Sequence, residues 1–239
     1  KITFNICVIV TLSLVVMCTS LYAMSASILS EDSNTFTEVQ ILRAQEKIEL
    51  QVDKIRLETL ALSREQRVRN FFKGELGTDE LNRFLTDTME AMNRESESYY
   101  YKDLFCLGMD GVIISSTMPN AMYVDLSSRK YVQDSFKKST TETSDILIAL
   151  TDQASIVNTT HPIFDENGEM LGLFGIAIRA EKFVGFIKNY AIGESGYFSI
   201  VDSNGLILSH REPEQIGKPA VDVPVSYTHL RAHETPEHL

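Results

Sequence analysis

The run from Ile156 to Ile178, IVNTTHPIFDENGEMLGLFGIAI, constrains this chain more than any other. Two apolar stretches meet at Asn167-Gly168, and both turn residues accept positive φ, so the run predicts an antiparallel hairpin. A two-residue turn sets Glu166 opposite Glu169 and carries the register outward. One face then holds Phe164 with Leu171, Pro162 with Leu173, Thr160 with Gly175 and Asn158 with Ala177. The other holds Ile163, His161, Thr159 and Val157 against Gly172, Phe174, Ile176 and Ile178. The second face is bulky and suits packing on a helix. The first becomes small and polar toward its far end, where Asn158 and Thr160 line a hollow. A sheet filled on one face and hollowed on the other suits a small ligand. A plain half-buried hairpin fits the same residues and is the simpler reading.

Residues 2 to 30 carry no charge, and Ile6 to Met24 is nearly all apolar and long enough to cross a bilayer. Lys1 precedes the run, and Glu31 and Asp32 follow it, which orients the N-terminus to the cytoplasm and the rest outside. A cleaved signal peptide competes, with Ala23-Met24-Ser25 as a passable site; the length of the run favours an uncleaved anchor. The formal net charge of −11 argues against a nucleic-acid partner. Cys7 and Cys18 lie in the first apolar run and Cys106 stands apart, so neither a disulfide framework nor a metal pattern can be built. At the other end, Val225 to Thr235 resembles a translated sequencing adapter, and Pro236 to Leu239 fits its continuation. Residues 225–239 are therefore set aside from fold reasoning, their three histidines included.

From Phe36 to about Phe72 there is neither Gly nor Pro, and Ile41, Ile48, Ile55 and Leu62 recur every seven residues. Leu50, Leu57 and Leu60 mark a second stripe, so a long helix with two apolar faces is expected, ended by Gly74 and Gly77. One face can cover a sheet and the other meet a second copy, and a single broad buried face fits equally well. A second helix follows from a Thr78-Asp79 cap, with Leu81, Phe84, Leu85, Met89 and Met92 inward. Leu104 to Ser116 reads as a hairpin around Asp110-Gly111. A short helix to Lys138 takes Ser127 or Ser128 as its cap, and Ile146 to Leu150 is strand-like. After the organising hairpin come a helix from Ala180 to about Tyr190 and a third hairpin around Asn204-Gly205. The fold class predicted is α+β: an N-terminal transmembrane helix, a long α-helix, a PAS-like antiparallel sheet module and a truncated second PAS-like module.

No zinc-spaced His and Glu pair, nucleophile elbow or Walker loop occurs, so the sequence predicts neither an enzyme nor a cofactor.

From about Asp103 to Lys218 the chain resembles the double Cache family, the extracytoplasmic sensor domains of bacterial chemoreceptors, sensor kinases and diguanylate cyclases. The resemblance rests on Asp125-x-Ser127-x-Arg129-x-Tyr131, Ser144-Asp145, Pro162 to Gly168, Gly172-Leu173-Phe174-Gly175, Ile192 to Tyr197, Val201 to Gly205 and His210. It implies residues 1–30 as membrane anchor, 31–75 as a signalling and dimerisation helix, 76–190 as the membrane-distal ligand-binding module and 191–224 as the start of a truncated proximal one. In amino-acid-binding members a Tyr, an Arg and a Trp-Tyr pair hold the ligand carboxylate, and an Asp on the last distal strand holds the amine. By that resemblance Tyr123 and Arg129 fill the first roles and Tyr131 stands in the Trp position. Val132 replaces the second aromatic, and Ala177 stands where the Asp aligns. The candidate ligand residues are Tyr123, Asp125, Arg129, Tyr131, Asp145, Asn158, Thr160 and Ala177. With no carboxylate on the sheet, an uncharged or carboxylate-bearing ligand is expected, with the membrane and a second copy of the chain as partners.

Overall fold

The computed structural model describes residues 2–96, 100–183, 185, 191–192, 196–201, 205, 207–216 and 218–222; for 2–13, 26–34, 191–192, 196, 208 and 213 it describes the backbone alone. The adapter-like residues 225–239 and most of the helix expected beyond Phe183 lie outside this set. The chain divides into two compact units, residues 1–53 and 54–239. The first is the helical N-terminal stretch of α1 (Ile2–Ser63). Among the described residues no helix is long and apolar enough to cross a membrane. The span expected from Ile6 to Met24 falls partly on residues whose side chains lie outside the description.

The second unit is built on a six-stranded antiparallel sheet. Its strands are β1 (Tyr101–Leu107), β2 (Ile113–Ser116), β3 (Glu142–Thr143), β4 (Leu147–Ile148), β5 (Ser155–Phe164) and β6 (Met170–Arg179), in the order β2-β1-β6-β5-β3 with β4 also on β5. The organising hairpin is β5–β6, and its register is the expected one from Val157 opposite Ile178 to Ile163 opposite Gly172. The turn itself differs. Asp165 N–H donates to Glu169 O at 2.9 Å, so three residues connect the strands instead of two. Asp165 Oδ1 accepts from the amides of Asn167 and Glu169, both at 2.8 Å, and Gly168 takes the left-handed position at φ 85°. A register shift between Ile163 and Phe164 then sets Phe164 opposite Met170 and leaves Leu171 as the extra residue. The bulge absorbs the longer turn, which is why the pairing beyond it is unchanged.

The bulky face carries helices. The expected helix from Phe36 to Phe72 breaks without glycine: α1 ends at Ser63, Glu65 is extended at φ −58°, ψ 136°, and α2 (Gln66–Phe72) restarts. The break buries Val68 and sets the Phe72 ring against Gly172, whose missing side chain makes the space. Ile55, Thr59 and Ser63 are buried, whereas Leu50 and Leu57 are 62% and 66% exposed. Two bonds dock this end of α1. Tyr101 Oη donates to the Glu58 carboxylate at 2.7 Å, and Arg56 donates to the Thr141 carbonyl at 2.9 Å. Next, α3 (Thr78–Glu95) starts after Gly77 and buries Leu81 and Leu85. Asn82 Oδ1 accepts from Ser115 Oγ at 2.6 Å, fixing α3 over β2.

The opposite face is covered by α4 (Lys130–Lys138) and the segments around it. Its N-cap is Arg129, not Ser127 or Ser128. Asp125 explains the difference: its Oδ1 accepts the Ser127 amide at 2.8 Å, holding that stretch in a turn ahead of the helix. The strand expected over 146–150 shrinks to β4, because Ala149 N–H turns to the Ala154 carbonyl at 2.9 Å and Gln153 adopts φ 61°. After β6 come α5 (Ala180–Phe183) and two short pairs, β7 (Ala191–Ile192) with β8 (Gly196–Tyr197) and β9 (Ile200–Val201) with β10 (Ile207–Ser209).

Candidate ligand-binding site

Alternation assigns the hollow face. Pro162, Thr160 and Asn158 on β5 sit opposite Leu173, Gly175 and Ala177 on β6, and β1 extends the row with Phe105 opposite Gly175 and Asp103 opposite Ala177. Much of this face is filled. The Phe105 ring occupies the space over Gly175, where a Cβ would collide with the Cζ edge of the ring. Thr160 Oγ1 is 2.8 Å from Ser135 Oγ of α4, which closes that end. What stays open is a cavity of about 50 Å³ beside Ala177. Asn158 and Asp103 line it, with Phe105, Ile156 and Leu126 among its apolar walls, and the Ala149–Thr151 turn covers one side. A space of this size admits a few waters or a small ligand group.

Asn158 is buried, and its Nδ2 donates to Tyr131 Oη at 2.8 Å. Tyr131 is buried in turn, and burial pushes its phenol up to about 12. Asn158 Oδ1 is buried with no hydrogen-bond partner among the described residues. A buried carbonyl left in that state is costly unless something else reaches it.

Asp103 was not foreseen as a site residue. It is 5% exposed. Burial raises its carboxyl to about 6, against the opposing pull of hydrogen bonds from Thr117 and Ser116. Its place in the wall comes from a register shift between Tyr101 and Asp103, where β1 carries one residue more than β6. The extra residue, Lys102, also lines the cavity. Its side chain is 3% exposed, and the ammonium donates to both oxygens of Asp152 at 2.6 Å and ties β1 to the covering turn. The sequence held one signal: Asp103, Phe105 and Leu107 share one strand face, and Leu104 and Cys106 alternate with them on the other. Only the pairing of β1 with β6 shows which face that is. The expectation of an uncharged or carboxylate-bearing ligand assumed a sheet without negative charge, and Asp103 supplies one.

The expected site residues separate into three groups. Asn158 and Ala177 line the cavity together. Tyr131 and Thr160 stand behind it, bonded to Asn158 and Ser135. The remaining four are not in its lining. Tyr123 takes a left-handed φ of 65° that turns its side chain outward, 78% exposed, and puts Val124 in the wall instead. Arg129 reaches the carbonyl of Ile148 at 3.4 Å, next to the covering turn. Asp125 serves its own turn and Asp145 is exposed.

The comparisons agree with this architecture. The Cache domain model dCache_1 matches residues 25–234, more of the chain than the motifs alone suggested. No curated protein matches the sequence. Among solved structures, the sensor domain of the histidine kinase DctB from V. cholerae superposes with a TM-score of 0.60 at 14% identity, over 75% of this chain and 67% of that one. The ligand-binding domain of the amino acid chemoreceptor PctC of Pseudomonas aeruginosa PAO1, in complex with GABA, gives 0.54 at 15% identity, over 80% of each chain. An extracellular ligand binding receptor from Desulfohalobium retbaense DSM5692 gives 0.51 at 14% identity over 75% of this chain, which spans only 33% of that one. These likenesses establish the fold, and the family match over most of the length establishes the lineage: the chain belongs to the Cache domain family.

Proposed function

We propose that this chain is the extracytoplasmic small-molecule-sensing input of a bacterial transmembrane signal transducer of the chemoreceptor type. The observation that carries the reading is the cavity beside Ala177, walled by apolar side chains and holding buried polar groups with unused bonding capacity. The ligand-bound PctC domain, similar in fold, supports it. In this reading residues 1–30 are the membrane anchor, so the module stands outside the membrane. Residues 31–75 are the helix that relays the signal, with exposed Leu50 and Leu57 meeting a second copy. A second reading puts the same input on a histidine kinase, which the likeness to the DctB sensor domain supports, or on a diguanylate cyclase.

A thermal-shift panel of organic acids, amino acids, amines and purines tests the input. At least one class should raise the melting temperature in proportion to its concentration. Ala177→Leu, which fills the cavity, should abolish that shift. A ligand whose effect survives Ala177→Leu would remove the cavity from the reading. The sequence downstream separates the two outputs: a long glutamate-rich helical hairpin indicates a chemoreceptor, and a catalytic domain indicates an enzyme.

A further inference from the structure

His161 is the one titratable side chain of β5, and it stands half-buried on the helix-covered face. Its neighbours on the sheet carry no charge: Phe174 faces it on β6, and Thr159 and Ile163 flank it on β5. On its other side Nδ1 lies 2.7 Å from Thr141 Oγ1, one residue before β3. The same Thr141 offers its carbonyl to Arg56 of α1 at 2.9 Å. One residue therefore joins the ring to α1.

The charge that acts on the ring also comes from this end of α1. Burial first, and then the Arg64 guanidinium just past Ser63, hold the imidazole below its ordinary 6.5. The carboxylates on the surrounding elements are committed elsewhere. Glu58 accepts from Tyr101 of β1 and lies 3.7 Å from Lys54. Glu142, opposite Thr160 and so on the hollow face, pairs with Lys138 at 3.3 Å. Glu65 is exposed. Of the charges on α2, Arg67 lies over the Phe84 ring at 4.7 Å and Lys73 pairs with Glu166.

Protonation would change the charge and not the bond, because the Thr141 hydroxyl can accept from Nδ1–H as well as donate to a bare nitrogen. The cationic ring would then sit half-buried beside Arg64 without a counter-ion, and moving residues 54–63 of α1 toward water relieves it. We propose that His161 is a proton-operated latch on α1: the neutral ring lets this end of the helix close on the sheet, and the protonated ring releases it. Since the docked ring is held below 6.5, the released state takes up the proton more readily, and release grows as pH falls through that value. The use of the latch in signalling rests on reading α1 as the relay helix.

Hydrogen exchange of residues 54–63 in the whole chain, corrected for the intrinsic pH dependence of exchange, measures the opening. Between about pH 7.5 and about pH 5 the opening of these amides should become roughly five- to tenfold more frequent, while β1, β5 and β6 stay protected. High salt should blunt the effect. His161→Gln, which can still bond Thr141 and takes no charge, should flatten the profile. Arg64→Gln, at an exposed position, should shrink the step even if the first variant fails to fold. Asp103 cannot imitate this result, because its raised carboxyl makes acid stabilising. No step in the unsubstituted chain, an equal step in His161→Gln, or loss of protection across the whole sheet would overturn the latch. The sensor reading is judged apart from it: a ligand-induced thermal shift without an acid step leaves that reading standing and removes the latch.

Discussion

The Lys102–Asp152 pair holds the wall of the cavity, and its two halves are unequally buried. The Lys102 side chain is 3% exposed and that of Asp152 is 41% exposed. Removing one partner therefore does not cost the same as removing the other. Asp152→Asn keeps the side-chain shape and the carbonyl that accepts from the Ala154 amide at 3.2 Å. It leaves the Lys102 ammonium buried with a neutral bond and no counter-ion. A broken buried pair costs several kcal/mol, and water entering beside the half-exposed partner lowers the figure, so about 2 kcal/mol is expected. That corresponds to a fall of about 4 to 8 °C in Tm for a chain of this size. Lys102→Met leaves a carboxylate that water already reaches and fills the stem's volume with an apolar chain, so its cost should stay under about 1 kcal/mol. The double variant should match Lys102→Met alone, giving a coupling close to 2 kcal/mol in a denaturant-unfolding cycle. Because the ammonium is buried, that coupling should survive high salt. Equal single costs that simply add, or a coupling that salt removes, would show that the pair behaves as a surface contact and does not pin the turn to β1.

The pH dependence of stability should carry the mark of Asp103. Its carboxyl is raised from 3.8 to about 6, so between those values the native state binds more protons than the unfolded state and stability falls as pH rises. Asp103→Asn should remove that fall, up to about 3 kcal/mol in total across the window, in a denaturant series, and identical pH profiles would refute the burial argument. Gly175→Ala should drive the Phe105 ring into the cavity, cost roughly 1 to 3 kcal/mol and weaken any ligand-induced thermal shift; an unchanged melting temperature would mean that the ring yields freely. Ile55→Glu, at a position 1% exposed, should unfold the sheet module as read by near-UV circular dichroism, whereas Leu50→Glu with Leu57→Glu should leave it folded and abolish self-association in sedimentation. Loss of fold in the second variant would place those leucines in the core.

The sequence by itself determined the hairpin, because a period of two is a local property of the chain. Asn167-Gly168, the bulky run His161, Ile163, Phe174, Ile176 and the small run Asn158, Thr160, Gly175, Ala177 are enough to assign strands, faces and most of the register. The same patterning carried the α+β class and the covering helices. Local patterning did not reach the turn length, since Asp165 captures two amides and a bulge at Leu171 restores the pairing. Nor did it reach the position of the cavity along the hollow face. That depends on which partner fills each small residue: Phe105 of β1 over Gly175 and Ser135 of α4 against Thr160. Asp103 entered the wall only through the pairing of β1 with β6, a contact some seventy residues distant in sequence whose one-residue shift brings Lys102 and Asp103 to the same cavity. Tyr123 left it through one backbone torsion. Faces follow from alternation along a single strand, whereas a site is set by which strands meet and in what register, and that is decided by the packing of the whole chain.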